Sequence, residues 1–446
     1  MNTRLLLLLT TFAAGPALAA PSQVHLGWQG PTDTTMTVTW RSTAATGAVE
    51  YGKDGNYGQV QAAASVAYQG SYLHEAQVTG LAPSTTYHYR CGAPGDWSLD
   101  RTFTTGPARG AGASFRFAAY GDSRSDDAAR ASVRAAVERS QPAFSLDSGD
   151  LVDTGGTQSF WDQWFDTMEP LISVTPFVSA AGNHDVGGGL FFKQLALPRH
   201  APSVAGYDDE AYSSFDYGNT HFVVLSTEPA GSAGDAQDSW LEADLARAAS
   251  DPAVRWTVVA FHRPPYSSGS HGSEAGLRER WGPIFERYGV DVVFNGHDHH
   301  YERSHPMVAG QRAQQGGVTY IVTGGAGAPV YSVGASAFTA FARSTHHFVE
   351  VDVAPNTFTL EARDPDGNVF DTLTLTHPSP LAEAPAEPGE APADPAGSPD
   401  GTGTQIPSPT PRVASVAAGC GLGGGGAGAL TSLLAAVLFA ARRRRR

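Results

Sequence analysis

Up to about residue 106 the chain alternates polar and apolar positions in short runs separated by Gly and Pro. Examples are Gln23-Val24-His25-Leu26-Gly27-Trp28, Met36-Thr37-Val38-Thr39-Trp40 and Tyr87-His88-Tyr89-Arg90. A period of two sends one face of each run to a core and the other to water. This predicts strands, and roughly 85 residues of them predict a small β-sandwich. Nothing in this stretch suggests catalysis. From Phe115 the texture changes. Apolar strands are predicted at 115–120, 144–146, 176–181, 221–227, 256–261, 291–294 and 318–323, with helices near 126–139, 238–249 and 275–288. Strands interleaved with helices imply an α/β core. The last runs, 347–353, 358–363 and 369–375, are hairpin-like, with Asp366-Gly367 as the final turn. No internal repeat is present.

The two ends break this pattern. Residues 1–20 combine Arg4, an apolar run beginning at Leu5 and the small-x-small triplet Ala17-Leu18-Ala19, the make-up of a secretory signal peptide. Residues 378–416 are rich in Pro, Ala, Glu, Gly and Ser and are expected to form a disordered linker. Residues 417–446 carry Cys420, the glycines 423–426, an apolar stretch over 427–441 and five terminal arginines. With its glycines that stretch approaches ~20 residues, and the arginines would hold the end on the cytoplasmic side. The tail resembles C-terminal sorting signals of Gram-negative surface proteins, especially the myxobacterial kind. This implies membrane contact through the tail, then surface display or release; a permanent single-span anchor is the alternative.

Composition narrows the class. The 446 residues are 41% hydrophobic and 16% charged, with 51 Gly and 30 Pro, which favours strands and turns around a sizeable core. A net charge of −15 argues against nucleic acid as the main partner but not against a small phosphorylated substrate, since bound metals supply positive charge locally. The two cysteines, Cys91 and Cys420, stand in segments of different character, so no disulfide or cysteine zinc site is expected. Cys91 reads as a small buried residue of a strand.

The chemistry lies in five segments where a strand ends and polar, metal-capable residues follow: Gly121-Asp122-Ser123-Arg124, Gly149-Asp150, Gly182-Asn183-His184-Asp185, Phe261-His262-Arg263-Pro264 and Gly296-His297-Asp298-His299. Strand ends of an open α/β sheet meet at one edge, so these segments are expected to share a pocket. Two carboxylates, an amide oxygen and three imidazoles, without thiolate, suit Mn, Fe, Zn or Co in an open catalytic site. Two ions about 3.5–4 Å apart benefit from a bridging carboxylate such as Asp150, and such a pair activates water and neutralises phosphoryl charge.

In this order the segments resemble the calcineurin-like metallophosphoesterases. Pro21-Ser22-Gln23-Val24-His25-Leu26, Tyr212-Ser213-Ser214-Phe215-Asp216-Tyr217-Gly218 and Gly296-His297-Asp298-His299-His300-Tyr301-Glu302-Arg303 narrow the resemblance to the purple acid phosphatase branch, over roughly residues 21–376. It implies an N-terminal all-β, fibronectin-III-like sandwich (21–106) and an α/β metallophosphoesterase domain of αββα type (113–377). It implies an acid phosphatase-like hydrolase, exported if the leader is read as above, in which a metal-bound hydroxide attacks phosphomonoesters, with two divalent or mixed-valence ions (Fe, Zn or Mn) as cofactors. Asp122 and His299 would hold the first ion, Asp150 would bridge, and Asn183, His262 and His297 would hold the second. His184 and His271 would face the phosphate as catalytic groups. Asp185 and Asp298 are expected to orient imidazoles, and Tyr301, Glu302 and Arg303 to support structure.

One position departs from the pattern. The coloured members of the family carry a metal-binding tyrosine three residues after the bridging aspartate, where this chain has Asp153. No purple charge-transfer band is then expected, and Asp153 reads as a ligand or a cap. Arg124 reads as a phosphate contact or a surface ion pair. Two alternatives to a phosphomonoesterase stand: a phosphodiesterase or nucleotidase on the same site, and a non-catalytic surface binding module. Substrate choice would lie in loops 186–211 and 304–317.

Overall fold

In the computed structural model the described residues are 20–199, 210–228 and 232–377. The expected leader, all but its last residue, and the linker and tail from 378 onward lie outside them. No helix among the described residues is long and apolar enough to cross a membrane.

The N-terminal part is a sandwich of two antiparallel sheets. One orders Ser22–Gly27, Met36–Ser42, Ser71–Val78 and Ala64–Tyr68; the other is built around Ala48–Gly52 and Thr86–Ala93. Val24, Leu26, Val38, Trp40 and Tyr89 are buried between them, as the period-two runs require, and Cys91 is buried with them.

The second part is a two-sheet sandwich with helices outside both sheets. The first sheet places Phe177–Ser179, Ser145–Asp147 and Phe115–Tyr120 parallel to one another, then Phe348–Val353, Thr357–Arg363 and Val369–Thr376 antiparallel. The second aligns Thr220–Val224, Trp256–Ala260, Val292–Asn295 and Thr319–Thr323 in parallel, edged by Ser213–Tyr217 on one side and by Tyr301–Ser304 and Thr339–Arg343 on the other. The parallel strands are mostly buried on both faces because both are covered, and most of their residues are apolar, although Ser145–Asp147 has only Leu146. Phe117 and Ala119 point into the core between the sheets, while Ala118 and Tyr120 pack with Val133, Val137, Trp161 and Trp164 of the helices Asp127–Ser140 and Gln158–Ile172. Likewise Val258 points inward and Val259 outward, against Leu241, Leu245, Trp281 and Phe285 of the helices Ser232–Ser250 and Ala275–Tyr288. The five segments therefore belong to two facing sheets, not to one open sheet. The helix Gln158–Ile172 was not among the expected elements, although Trp161, Trp164, Phe165, Met168 and Ile172 carry a helical stripe.

The two sandwiches share a junction. Trp28 packs against Phe144, Phe215 and Tyr217, with ring centroids 5.7–5.8 Å away. Tyr89 donates its hydroxyl to the Ser173 carbonyl at 2.6 Å, and Arg101 pairs with Glu169 at 2.7 Å. Nearby, His221 is wholly buried with Nδ1 2.7 Å from Asp216 and Nε2 2.8 Å from Asp244. Arg109 closes the network on Asp216 and Asp251, and Arg247 on Asp244.

Candidate active site

Each candidate side chain rides on the loop leaving the C-terminal end of a parallel strand. Asp122 follows Phe115–Tyr120, Asp150 follows Ser145–Asp147, and Asn183 and His184 follow Phe177–Ser179. From the facing sheet, His262 follows Trp256–Ala260, and His297 and His299 follow Val292–Asn295. The turns are tight. Asp122, Asp150 and His297 take left-handed φ values of 56°, 60° and 70°, which cost energy for residues other than glycine and concentrate at functional sites. The preceding glycines allow close approach. A Cβ on Gly182 would stand 2.2 Å from Asp150 Oδ1, and one on Gly296 2.4 Å from Asp122 Oδ2.

The donor atoms converge. His262 Nε2 lies 3.1 Å from Asn183 Oδ1, 3.2 Å from His297 Nδ1 and 3.4 Å from Asp150 Oδ1. His299 Nε2 lies 3.4 Å from Asp122 Oδ1. Ligand atoms of Asp122, Asp150 and His262 all fall within 4.8 Å of one another. An ion bound at about 2.1 Å by each donor needs donors about 3.0–3.4 Å apart, so this spacing fits metal coordination. Hydrogen bonding fits too. His262 Nδ1 donates to the Ser148 carbonyl at 3.0 Å and His299 Nδ1 to that of Pro329 at 2.9 Å, which turns both Nε2 atoms inward. Asp122 Oδ2 accepts the His297 backbone N–H at 2.8 Å, while buried Oδ1 has no hydrogen-bond partner.

The crowding shifts the titrations. Burial alone would lower His262, but Asp150, helped by Asp122 and Asp185, pushes it up to about 10. Burial works against the charge on Asp150, yet His262 and the His184 backbone N–H hold its carboxyl below the usual range. Burial and the neighbouring His262 push His297 down to about 3.

His184 borders this cluster. Its Nδ1 donates to the Asp153 carbonyl at 2.8 Å and its Nε2 lies 3.9 Å from Asp150 Oδ2, on a ring that is one-third exposed. His271 is more open: its ring stands 4.3 Å from that of His297, and Asp298 Oδ1 accepts its Nδ1 at 2.9 Å. Asp298 thus orients an imidazole. Asp185 does not. Its Oδ2 accepts backbone N–H groups of Asp150 (2.8 Å) and Gly182 (2.9 Å), and its Oδ1 that of Leu151 (2.9 Å), so it ties the Asp150 and Asn183 turns together. Asp153 caps no helix: Gln158–Ile172 starts after Thr157, and Asp153 pairs with Arg124 at 3.1 Å. Arg124 is no surface ion pair; its side chain is 14% exposed and reaches Asp150, Asp153 and His299. Tyr301 and Arg303 bind Asp371, and Glu302 holds Ser268.

Two side chains at the site carried no assignment from the sequence. Arg263 NH1 donates to His297 Nε2 at 3.3 Å, and Tyr331 stacks on His299 at 4.2 Å. Arg263 stands inside the Phe261-His262-Arg263-Pro264 segment, so its place was readable; Tyr331 lies in a loop without periodic pattern. A cavity of about 540 Å³ lies at the junction of the sandwiches, lined by Thr32, Arg109, Asp216, His221 and Asp244, away from the metal-capable cluster.

A helix-covered pair of sheets presenting carboxylates, an amide and imidazoles at one edge defines a phosphoric ester hydrolase of the calcineurin-like type, and residues 115–301 match the calcineurin-like phosphoesterase profile. Residues 21–105 match the N-terminal domain of purple acid phosphatases. Purple acid phosphatase 21 of Arabidopsis thaliana is 31% identical over 323 residues, covering 69% of this chain and 71% of the relative. The chain belongs to the purple acid phosphatase family. An uncharacterized protein of Mycobacterium tuberculosis is 29% identical over 359 residues, 67% of each chain. In fold, the chain is similar to a purple acid phosphatase from yellow lupin seeds, with a TM-score of 0.71 at 23% identity over 80% of this chain and 74% of the other.

Proposed function

We propose that the chain is an exported phosphomonoesterase with a binuclear metal centre. Asp122 and His299 would hold the first ion, Asn183, His262 and His297 the second, and Asp150 would be shared between them. The supporting observation is the set of inward-facing nitrogen and oxygen atoms at coordination spacing, with Asp122 Oδ1 left without a hydrogen-bond partner. When bound, the ions activate a water and neutralise charge on the phosphoryl oxygens. The rest falls to the chain itself. His184, fixed by the Asp153 carbonyl, presents Nε2 on the open side, where its proton can pass to the leaving oxygen. His271, held by Asp298, faces the same opening and contacts a phosphoryl oxygen. The tight turns at Asp122, Asp150 and His297 fix the donors before substrate arrives.

Export is supported by Arg4, the apolar run from Leu5 and Ala17-Leu18-Ala19, and surface display or release by the Cys420, apolar and arginine sequence of the tail. The test is chelation of the purified protein, then stepwise return of Mn, Zn or Fe with ion counting and parallel assays on an aryl phosphomonoester and diester. Two ions per chain with restored monoester hydrolysis is the expected result. Full activity in the stripped protein would remove the proposal.

A further inference from the structure

We infer that Arg124 is a built-in cation that weakens the first metal position relative to the second, making the two ions unequal in affinity. This rests on the two-ion reading above. The side chain enters the cluster instead of leaving for solvent. Its Nε faces Asp150 Oδ2 at 3.4 Å and its NH2 donates to His299 Nε2 at 3.3 Å. That nitrogen holds the inward lone pair, because Nδ1 is committed to the Pro329 carbonyl. The guanidinium therefore engages two of the three groups assigned to the first ion. At the other end NH1 donates to Ser125 Oγ at 3.0 Å and to Asp153 Oδ1 at 3.1 Å, so the arginine is anchored and not adventitiously folded inward.

The second position also has an arginine beside it, but that one engages its ligand differently. Arg263 donates to the Nε2 of His297, whereas it is Nδ1 of that ring that faces His262. Arg263 is also drawn off by Glu228 at 2.9 Å. A fixed positive charge a few ångströms from a divalent ion, in a buried site, repels it strongly. The guanidinium must also give up its hydrogen bond to His299 before that nitrogen can ligate. Release of the His299 hydrogen bond concerns the first ion alone; the charge reaches both ions through the shared Asp150 and weighs more on the first, whose own ligand His299 the guanidinium touches. The first ion is then the one lost on dilution, and the second is the resident.

Calorimetric titration of Mn(II) or Zn(II) into the stripped full-length protein, with ion counting by elemental analysis, tests this. Wild type is expected to show two unequal steps. In Arg124→Gln and Arg124→Met, which keep an unbranched stem but not the charge, the weaker step is expected to tighten by about tenfold or more and the tighter step by clearly less. Arg124→Lys keeps the charge and is expected to keep the inequality. Near-ultraviolet circular dichroism checks that each variant is folded, and two neutral variants guard against failure of one. Two ions with affinities unchanged in both neutral variants would overturn the role of Arg124 and leave the two-ion reading standing. One ion per chain in wild type and variants alike would overturn both.

Discussion

Two of the histidines buried among carboxylates, His221 at the junction and His262 at the sheet edge, behave oppositely. At the junction, both ring nitrogens of His221 meet a carboxylate, and Asp216 and Asp244 are further neutralised by Arg109 and Arg247. Every charge has an answer within the chain. At the sheet edge, His262 Nε2 has one carboxylate oxygen, that of Asp150, at 3.4 Å but also faces the oxygen of Asn183 and a nitrogen of His297, and Asp122 Oδ1 makes no hydrogen bond. Residue type is shared; saturation is not. A network closed on itself stabilises structure, whereas one left open among strained turns is arranged for something the chain does not supply.

The comparison breaks most sharply by substituting one carboxylate in each network. Asp150→Asn is expected to lower kcat/KM on an aryl phosphate by about 10³-fold or more and to reduce bound metal. Asp244→Asn is expected to leave kcat/KM within about threefold and to lower the thermal midpoint by several degrees, since it weakens a buried pair. Comparable activity losses in both would erase the distinction. Next in size, His184→Gln should cut turnover by about 10²-fold or more, the usual worth of a proton donor, with metal content unchanged.

A third pair probes how the site is braced. In Asp185→Asn one acceptor becomes an N–H facing backbone N–H groups, so metal affinity should fall by about 10–100-fold. Ser148→Ala should change little, because His262 uses the Ser148 carbonyl, which every residue has. Equal effects would mean that the bracing is not directional.

The smallest effect is in pH. At the junction, burial would lower His221, but Asp216 and Asp244 raise it. Its contribution is therefore complete below the unfolded value of about 6.5 and fades as pH rises through the raised folded value. Despite burial, His221 and Arg109 bring Asp216 down to about 2, so that contribution is complete above the unfolded value of about 3.9 and is lost as pH falls through 2. The stability gap between wild type and His221→Asn, from denaturant unfolding, should be widest near pH 4–6 and narrow towards alkali. A gap constant with pH would show His221 to be neutral.

The fold and the convergence of the candidate residues were legible for a physical reason. Parallel strands buried on both faces tend to read as apolar runs, and each candidate-bearing loop opens directly at a run's end, four of the five marked by a glycine, of which Gly182 and Gly296 must admit a carboxylate. What escaped was carried by atoms without sequence identity, such as the Ser148 and Pro329 carbonyls that aim His262 and His299. The role of Asp185 escaped for the same reason, since its partners are backbone amides. The closed network left no such mark, because His221 and Asp216 stand in runs whose pattern is only that of strands.

Trp28 has a practical consequence for anyone redesigning this chain. Its indole belongs by sequence to the front sandwich, yet it fills a space walled by Phe144, Phe215 and Tyr217 of the hydrolase. A shortened chain that begins after the sandwich would present that aromatic wall to water. The catalytic half is therefore not a portable cassette, and any chimera built from it has to bring its front sandwich along.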